Sequence, residues 1–152
     1  MGRVRARIDV PVLASEAEAL WYDTSRWASF VDGLHHVAAV DGGWPRAGAR
    51  VLWDSVPGGR GRVVERVTAY APRDGQTSDV EDEKISGTQR VAFAPGERGV
   101  TVTLELDYEL KEQRGKFGAF DLLFVRRPQR ESLQRTLRRF AGELRSDRDP
   151  GL

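Results

Sequence analysis

The clearest alternation of apolar and polar positions covers residues 100–110. Val100, Val102, Leu104, Leu106, Tyr108 and Leu110 alternate with Thr101, Thr103, Glu105, Asp107 and Glu109. A period of two places the first set on one face of a β-strand and the second on the other. Residues 4–12 alternate in the same way, with Val4, Ala6, Ile8 and Val10 opposite Arg5, Arg7 and Asp9. Pro11 ends that strand or places it at a sheet edge. Between these two stretches the chain reads as strand and turn by turns. Strands are predicted at Leu34–Val40 and over residues 49–56, 60–71, 77–85 and 88–94. They are separated by the turn words Asp41-Gly42-Gly43-Trp44-Pro45, Pro57-Gly58-Gly59, Pro72-Arg73-Asp74-Gly75 and Pro95-Gly96-Glu97-Arg98-Gly99.

Two stretches change period. Over residues 15–31, Leu20, Trp21 and Trp27 recur at helical spacing, and Asp23-Thr24-Ser25 interrupts them. Two short helices are predicted, over 15–22 and 25–31, the first opened by a Ser15/Glu18 capping box and the second closed by Asp32-Gly33. A long helix is predicted over residues 117–145. Leu133, Leu137, Phe140 and Leu144 make one apolar stripe on its second half. Phe117, Phe120, Leu122, Leu123, Phe124 and Val125 make the first half apolar on more than one side. Pro128 lies between the halves, where it is expected to end or kink the helix. The order is strand, two short helices, six strands, long helix. Short connections imply an antiparallel meander with one covered face, and only the last helix is large enough to cover it. The expected fold is therefore α+β: a curved seven-stranded antiparallel sheet wrapped around the C-terminal helix. The space between them holds either a packed core or a ligand.

Composition narrows the function classes. At 152 residues the chain suits a single domain, with residues 146–152 expected as a flexible tail. Apolar residues are 39% and charged residues 31%, and the net charge is +1, so the balance does not call for nucleic acid. The chain has no cysteine, which excludes disulfides and thiol chemistry and fits the reducing cytoplasm. No apolar run is long enough for stable membrane insertion.

Several local words resemble the bacterial polyketide cyclase/dehydrase-like branch of the START and birch-pollen-allergen superfamily, whose fold is the helix grip. They are Ile8-Asp9-Val10-Pro11-Val12 before Ser15-Glu16-Ala17-Glu18, then Leu20-Trp21-Tyr22-Asp23 with Trp27, then Gly48-Ala49-Arg50-Val51 with Trp53. Gly87-Thr88 before a strand and Leu104 to Leu110 before the final helix complete the likeness, which spans nearly the whole chain. The resemblance implies a deep cavity between sheet and C-terminal helix that takes hydrophobic or amphipathic molecules. It supplies no shared catalytic motif to place on numbered positions.

Candidate chemistry is sparse. The two histidines, His35 and His36, are strand neighbours that point to opposite faces, so they do not share a metal; with no Cys and no third His, no metal site is expected. One of them, taken here as His36, is a candidate acid or base if it points inward, since a free imidazole titrates near ~6.5. Glu65 lies at period two between Val63 and Val67 and faces inward if they do, but Val64 is apolar too, so both registers stay open. An inward Glu65 would be a functional candidate with a raised pKa. Tyr108 adds an amphipathic hydroxyl. Trp27, Trp53, Phe93, Tyr108, Phe120 and Phe124 are candidate cavity walls.

The run Asp79 to Glu83 lacks the regular loop of a calcium site and reads as a charged, solvated edge. Gly58-Gly59-Arg60-Gly61 is not followed by a helix carrying Lys and Ser/Thr, so it reads as a hairpin turn and not a phosphate loop. No nucleophile elbow is present, and no cofactor is expected. The arginines of the last helix read as a solvated face. A homodimer in which they meet the acidic strand of a second copy is a further expectation. Three functions fit these features: a carrier or sensor of a hydrophobic small molecule, a cyclase/dehydratase-like enzyme using the same cavity, and a partner-binding protein with a filled cavity.

Overall fold

The computed structural model describes residues 2–111 and 118–148, with side chains from 127 onward in the last helix. Seven strands form one antiparallel sheet: β1 (Gly2–Val10), β2 (Leu34–Val40), β3 (Arg50–Ser55), β4 (Arg62–Ala71), β5 (Gly75–Glu81), β6 (Ile85–Gly96) and β7 (Gly99–Leu110). Their order is β1-β7-β6-β5-β4-β3-β2, so β2 to β7 are a meander and the first strand pairs with the last. β1 and β2, neighbours in sequence, therefore lie at opposite edges. The helices α1 (Ala14–Tyr22) and α2 (Trp27–Phe30), joined by a 3-10 turn at Thr24–Arg26, make the connection. A single long helix, α3 (Gly118–Arg148), packs on the sheet's inner face near β1 and β7 and on α2. This is the helix-grip arrangement.

The alternation read from the sequence is the alternation of burial. Val100, Val102, Leu104, Leu106 and Tyr108 are buried, while the residues between them are half-exposed. Leu133, Leu137, Phe140, Ala141 and Leu144 cover part of this face. Each large apolar side chain, fully buried, contributes about 1.5–3 kcal/mol. Phe140 is the pivot, with Trp21 and Phe30 rings at 5.4 and 5.2 Å from its own. The aromatics of α1 and α2 thus fix where α3 sits.

Four expectations are corrected. The first helix begins one residue earlier, and its N-cap is Leu13; Glu16, not Glu18, reaches back to the cap, accepting from the Leu13 N–H at 3.4 Å. Pro128 lies inside α3 and does not end it. Proline removes only one ladder hydrogen bond, and the buried stripe that follows lets the helix continue past it. The strand carrying Asp79 and Glu81 is not an edge: β5 is a central strand, with β4 and β6 on either side. The helix also continues through residues 146–148, where Arg148 donates to Glu16 at 3.0 Å and to the Pro11 carbonyl at 3.1 Å. Residues 149–152 lie outside the described part.

Two arginines of the helix, Arg135 and Arg139, hold a carboxylate, while Arg127, Arg130 and Arg138 are exposed as expected. Asp32, in the turn before β2, accepts from Ser132 Oγ (2.8 Å), from Arg135 Nε and Nη2 (3.0 Å each) and from Arg139 Nη1 (3.3 Å), and its backbone N–H donates to Thr136 Oγ1 (3.0 Å). Partial burial alone would raise the Asp32 pKa. The hydrogen bonds from Arg135 and Ser132 and the two guanidinium charges outweigh it and hold the carboxyl below its ordinary value.

Candidate functional site

The inner face of the sheet is the surface on which a site can be built. Register carries one inward row across it: Gly2, Tyr108, Gly87, Val80, Glu65 and Val51, each opposite the next. Two glycines shape the row. A Cβ on Gly2 would collide with the Tyr108 ring, so β1 is bare where that ring lies across it. A Cβ on Gly87 would fall on the Asp107 carbonyl, so β6 and β7 approach closely there and no side chain stands between Tyr108 and Val80.

Glu65 is 7% exposed, on a face otherwise made of Val51, Trp53, Val63 and Val67. The bulge in the β4–β5 pairing comes after Val67, so Val63, Glu65 and Val67 keep one register and face inward together. Trp53 Nε1 donates to Glu65 Oε2 at 2.7 Å, and both side chains are buried. Burial pushes the Glu65 pKa up; the Trp53 hydrogen bond and the nearby Arg60 charge oppose the rise without cancelling it. A buried carboxyl with one neutral donor costs free energy, since burying a polar group is unfavourable unless it is well hydrogen-bonded. Burial thus favours the neutral carboxyl more than it would in water.

Arg60 and Asp82 extend this cluster. The Arg60 guanidinium lies 5.4 Å over the Trp53 ring, and its Nε donates to Asp82 Oδ2. Asp82 is 2% exposed; its other oxygen accepts from the backbone N–H groups of Lys84 (2.7 Å) and Ile85 (2.9 Å). It thereby shapes the β5–β6 turn and tethers the β3–β4 turn to it. Neither residue was singled out as a candidate site from the sequence. The signal available for Asp82 was an Asp shortly before a strand, where its carboxylate can bond the backbone two or three residues on. Ser78 and Gln76 were also passed over. They face inward at period two from Val80, and Gln76 Nε2 donates to the Pro45 carbonyl at 3.0 Å.

The other candidates fall elsewhere. Tyr108 is buried on the same row as Glu65, three strand steps away, or roughly 14 Å at about 4.8 Å per step. His36 pairs opposite Asp54 on the outer face, its Nε2 3.5 Å from that carboxylate and its side chain 57% exposed. A bulge between Leu34 and His36 sets this register. Trp27 and Phe93 are buried in a second aromatic group: Trp27 rests on Trp44 at 5.5 Å, and Tyr22 meets Trp44, Tyr70 and Phe93 at 6.2, 5.4 and 6.1 Å. Burial, with Tyr70, Glu18 and Asp74 nearby, raises the Tyr22 pKa. The side chains of Phe120 and Phe124 lie outside the described residues.

A trough of about 500 Å³ lies on the opposite, outer face of the sheet, with Arg50, Arg66, Asp79, Glu81, Asp107 and Glu109 among its lining residues. Charges of both signs and an open shape make it unsuited to an apolar molecule. Among the described residues, no group of three or more His, Cys, Asp or Glu side chains is placed to hold a metal ion. Among them, too, no helix is long and apolar enough to cross a membrane.

Solved structures share this architecture at low identity. A protein from Thermus thermophilus superposes with a TM-score of 0.75 at 19% identity, over 96% of this chain and 99% of its own. A START superfamily protein from Mycobacterium smegmatis gives 0.73 at 14%, over 95% and 97%. The di-domain ARO/CYC StfQ from the steffimycin biosynthetic pathway gives 0.74 at 15%, over 97% of this chain and 51% of that one. These likenesses carry the fold alone. No curated protein matches the sequence. The family model described as polyketide cyclase/dehydrase and lipid transport matches residues 1–145, and with that span covered the chain belongs to this family.

Proposed function

We propose that the protein binds a hydrophobic or amphipathic small molecule on the inner face of the sheet, beneath α3, and acts as a cytoplasmic carrier or sensor. The observation that carries this reading is the buried Trp53–Glu65 pair on an otherwise apolar row. A purely structural position would be better filled by an aliphatic side chain. A polar group in an apolar wall orients a ligand. The family and the fold support the same reading. The test is a fluorescence titration with the uncharged apolar probe N-phenyl-1-naphthylamine. The expected result is saturable binding at one site with energy transfer from tryptophan, weakened in Glu65→Leu and Trp53→Ala. No saturable binding, or binding that both variants leave unchanged, would overturn it.

A second reading is a cyclase/dehydratase-like enzyme, favoured by the upward direction of the Glu65 pKa, which is the direction a carboxyl acting as a proton donor needs. Glu65 and Tyr108 are too far apart to touch one atom, so in this reading Glu65 alone moves the proton. Turnover lost in Glu65→Gln while probe binding is retained would select this reading over the carrier.

A further inference from the structure

Among the described residues, two buried polar atoms at the β3–β4 end of the inner face have no partner. Arg60 Nη2 has no acceptor there, although the Nε of the same guanidinium is bonded to Asp82. Ser55 Oγ is likewise buried and unpartnered. The two belong to one small structure. Ser55 lies two residues beyond Trp53 on the inward side of β3, and its N–H donates to the Gly61 carbonyl at 2.9 Å. The turn folds back on it, so that a Cβ added to Gly59 would come within 3.1 Å of the Ser55 Cβ. Arg60, in that turn, lays its guanidinium over Trp53.

A buried N–H of a charged group that lacks an acceptor costs about 1–3 kcal/mol or more. Bulk water does not relieve Arg60 Nη2, because the atom is shut off from solvent. The Asp82 carboxylate does not direct its charge at Arg60 alone, since it also accepts two backbone N–H bonds. The guanidinium therefore keeps a charged, unpartnered N–H beside the Trp53 ring and near enough to Glu65 for its charge to be felt there. The guanidinium lies over the Trp53 ring, and Asp82 holds its Nε.

Resting on the ligand-binding reading above, we propose that the bound molecule carries an oxyanion, in the simplest case a carboxylate, received by Arg60 Nη2 and Ser55 Oγ. The apolar remainder then lies along the inward row towards Gly87 and Tyr108. The site so described selects an amphipathic acid over its neutral ester. Arg60 is the specificity-determining residue, and Asp82 is its positioning partner.

The test compares 11-(dansylamino)undecanoic acid with its methyl ester at pH 7.5, using the whole chain. The acid is expected to bind about tenfold or more tightly than the ester, as a charge-assisted hydrogen bond predicts. In Arg60→Gln that preference collapses, acid affinity falling about tenfold towards that of the ester. Ser55→Ala leaves the Arg60–Asp82 tether intact and keeps the proposal testable if Arg60→Gln folds poorly; it should lower acid affinity several-fold and narrow the preference for acid over ester. Equal affinities of acid and ester for the native protein would overturn the oxyanion site while leaving the pocket standing. If neither ester nor acid binds, and N-phenyl-1-naphthylamine fails as well, the pocket reading falls and this proposal with it.

Discussion

Two carboxylates, Asp32 and Glu65, show how the same chemical group is used in opposite ways within one chain. Asp32 sits in a turn with its side chain 17% exposed and takes hydrogen bonds from Ser132, Arg135 and Arg139. Glu65 sits on a strand, is more deeply buried, and takes one from Trp53. Charge and donors outweigh burial at Asp32, and its pKa falls. Burial outweighs a single neutral donor at Glu65, and its pKa rises. The first arrangement fastens α3 to the turn that begins the meander. The second leaves a buried carboxyl with one neutral donor, at a cost in stability.

The largest effect is expected at Asp32. Asp32→Ala removes the shared acceptor of Ser132, Arg135 and Arg139, and should destabilise the fold by about 2–3 kcal/mol, since hydrogen bonds to charged groups are worth about 1.5–3 kcal/mol each and the arginines can rehydrate. A thermal melt should fall by roughly 4–10 °C at this chain length. At the Glu65 site the sum differs. Trp53→Phe strands the carboxyl and should cost about 1–3 kcal/mol, whereas adding Glu65→Leu should recover much of the loss, because removing both buried partners is far cheaper than removing one. Denaturant titration of the two single variants and the double variant measures this. If the double variant is no more stable than Trp53→Phe alone, the two carboxylates do not differ as described.

The pH dependence separates them further. Asp32 has its folded pKa below its unfolded value of about 3.9, so its contribution is present above that pH and is lost as pH falls through the folded value. Glu65 has its folded pKa above its unfolded value of about 4.3. Above that pH the folded chain holds a proton that the unfolded chain has released, and stability falls as pH rises towards the folded value. Asp32→Asn should flatten the acid limb of a stability-pH curve, and Glu65→Gln the limb above it. A Glu65→Gln curve parallel to that of the native protein would show that Glu65 titrates normally.

Much of this arrangement was legible in the residue pattern. Period two gave the inward set on β7, and the offsets of Leu133, Leu137, Phe140 and Leu144 gave the α3 stripe, because burial on one face leaves a direct trace in residue type. Asp32 was read only as part of a helix-closing pair, since its partners lie about 100 residues on in a helix whose arginines look solvated by composition. Glu65 was readable as a candidate but not as a fact: Val64 made both registers plausible, and only pairing with β5 chose between them. Arg60 and Asp82 come together across two turns that no local pattern joins. Local sequence encodes which face a strand buries; it encodes poorly which distant charge meets which.

The smallest effect sharpens the comparison from the other side. His36 and Glu65 were both open to an acid-base role on sequence grounds, and they now lie on opposite faces of one sheet. His36 stands beside Asp54, whose carboxylate is already engaged by Arg62 Nε at 2.9 Å and Nη2 at 3.2 Å. At 57% exposure the imidazole meets water directly, and its neighbours are the His35 ring at 5.5 Å and the Asp54 carboxylate rather than the apolar row. His36→Gln should therefore leave N-phenyl-1-naphthylamine affinity unchanged to within about twofold, as expected of a surface substitution away from special features. Tyr108→Phe, on the row itself, should lower affinity for a ligand that its hydroxyl orients. A larger loss from His36→Gln than from Tyr108→Phe would mean that the ligand sits against the outer face, and the buried carboxyl would then need a purely structural explanation.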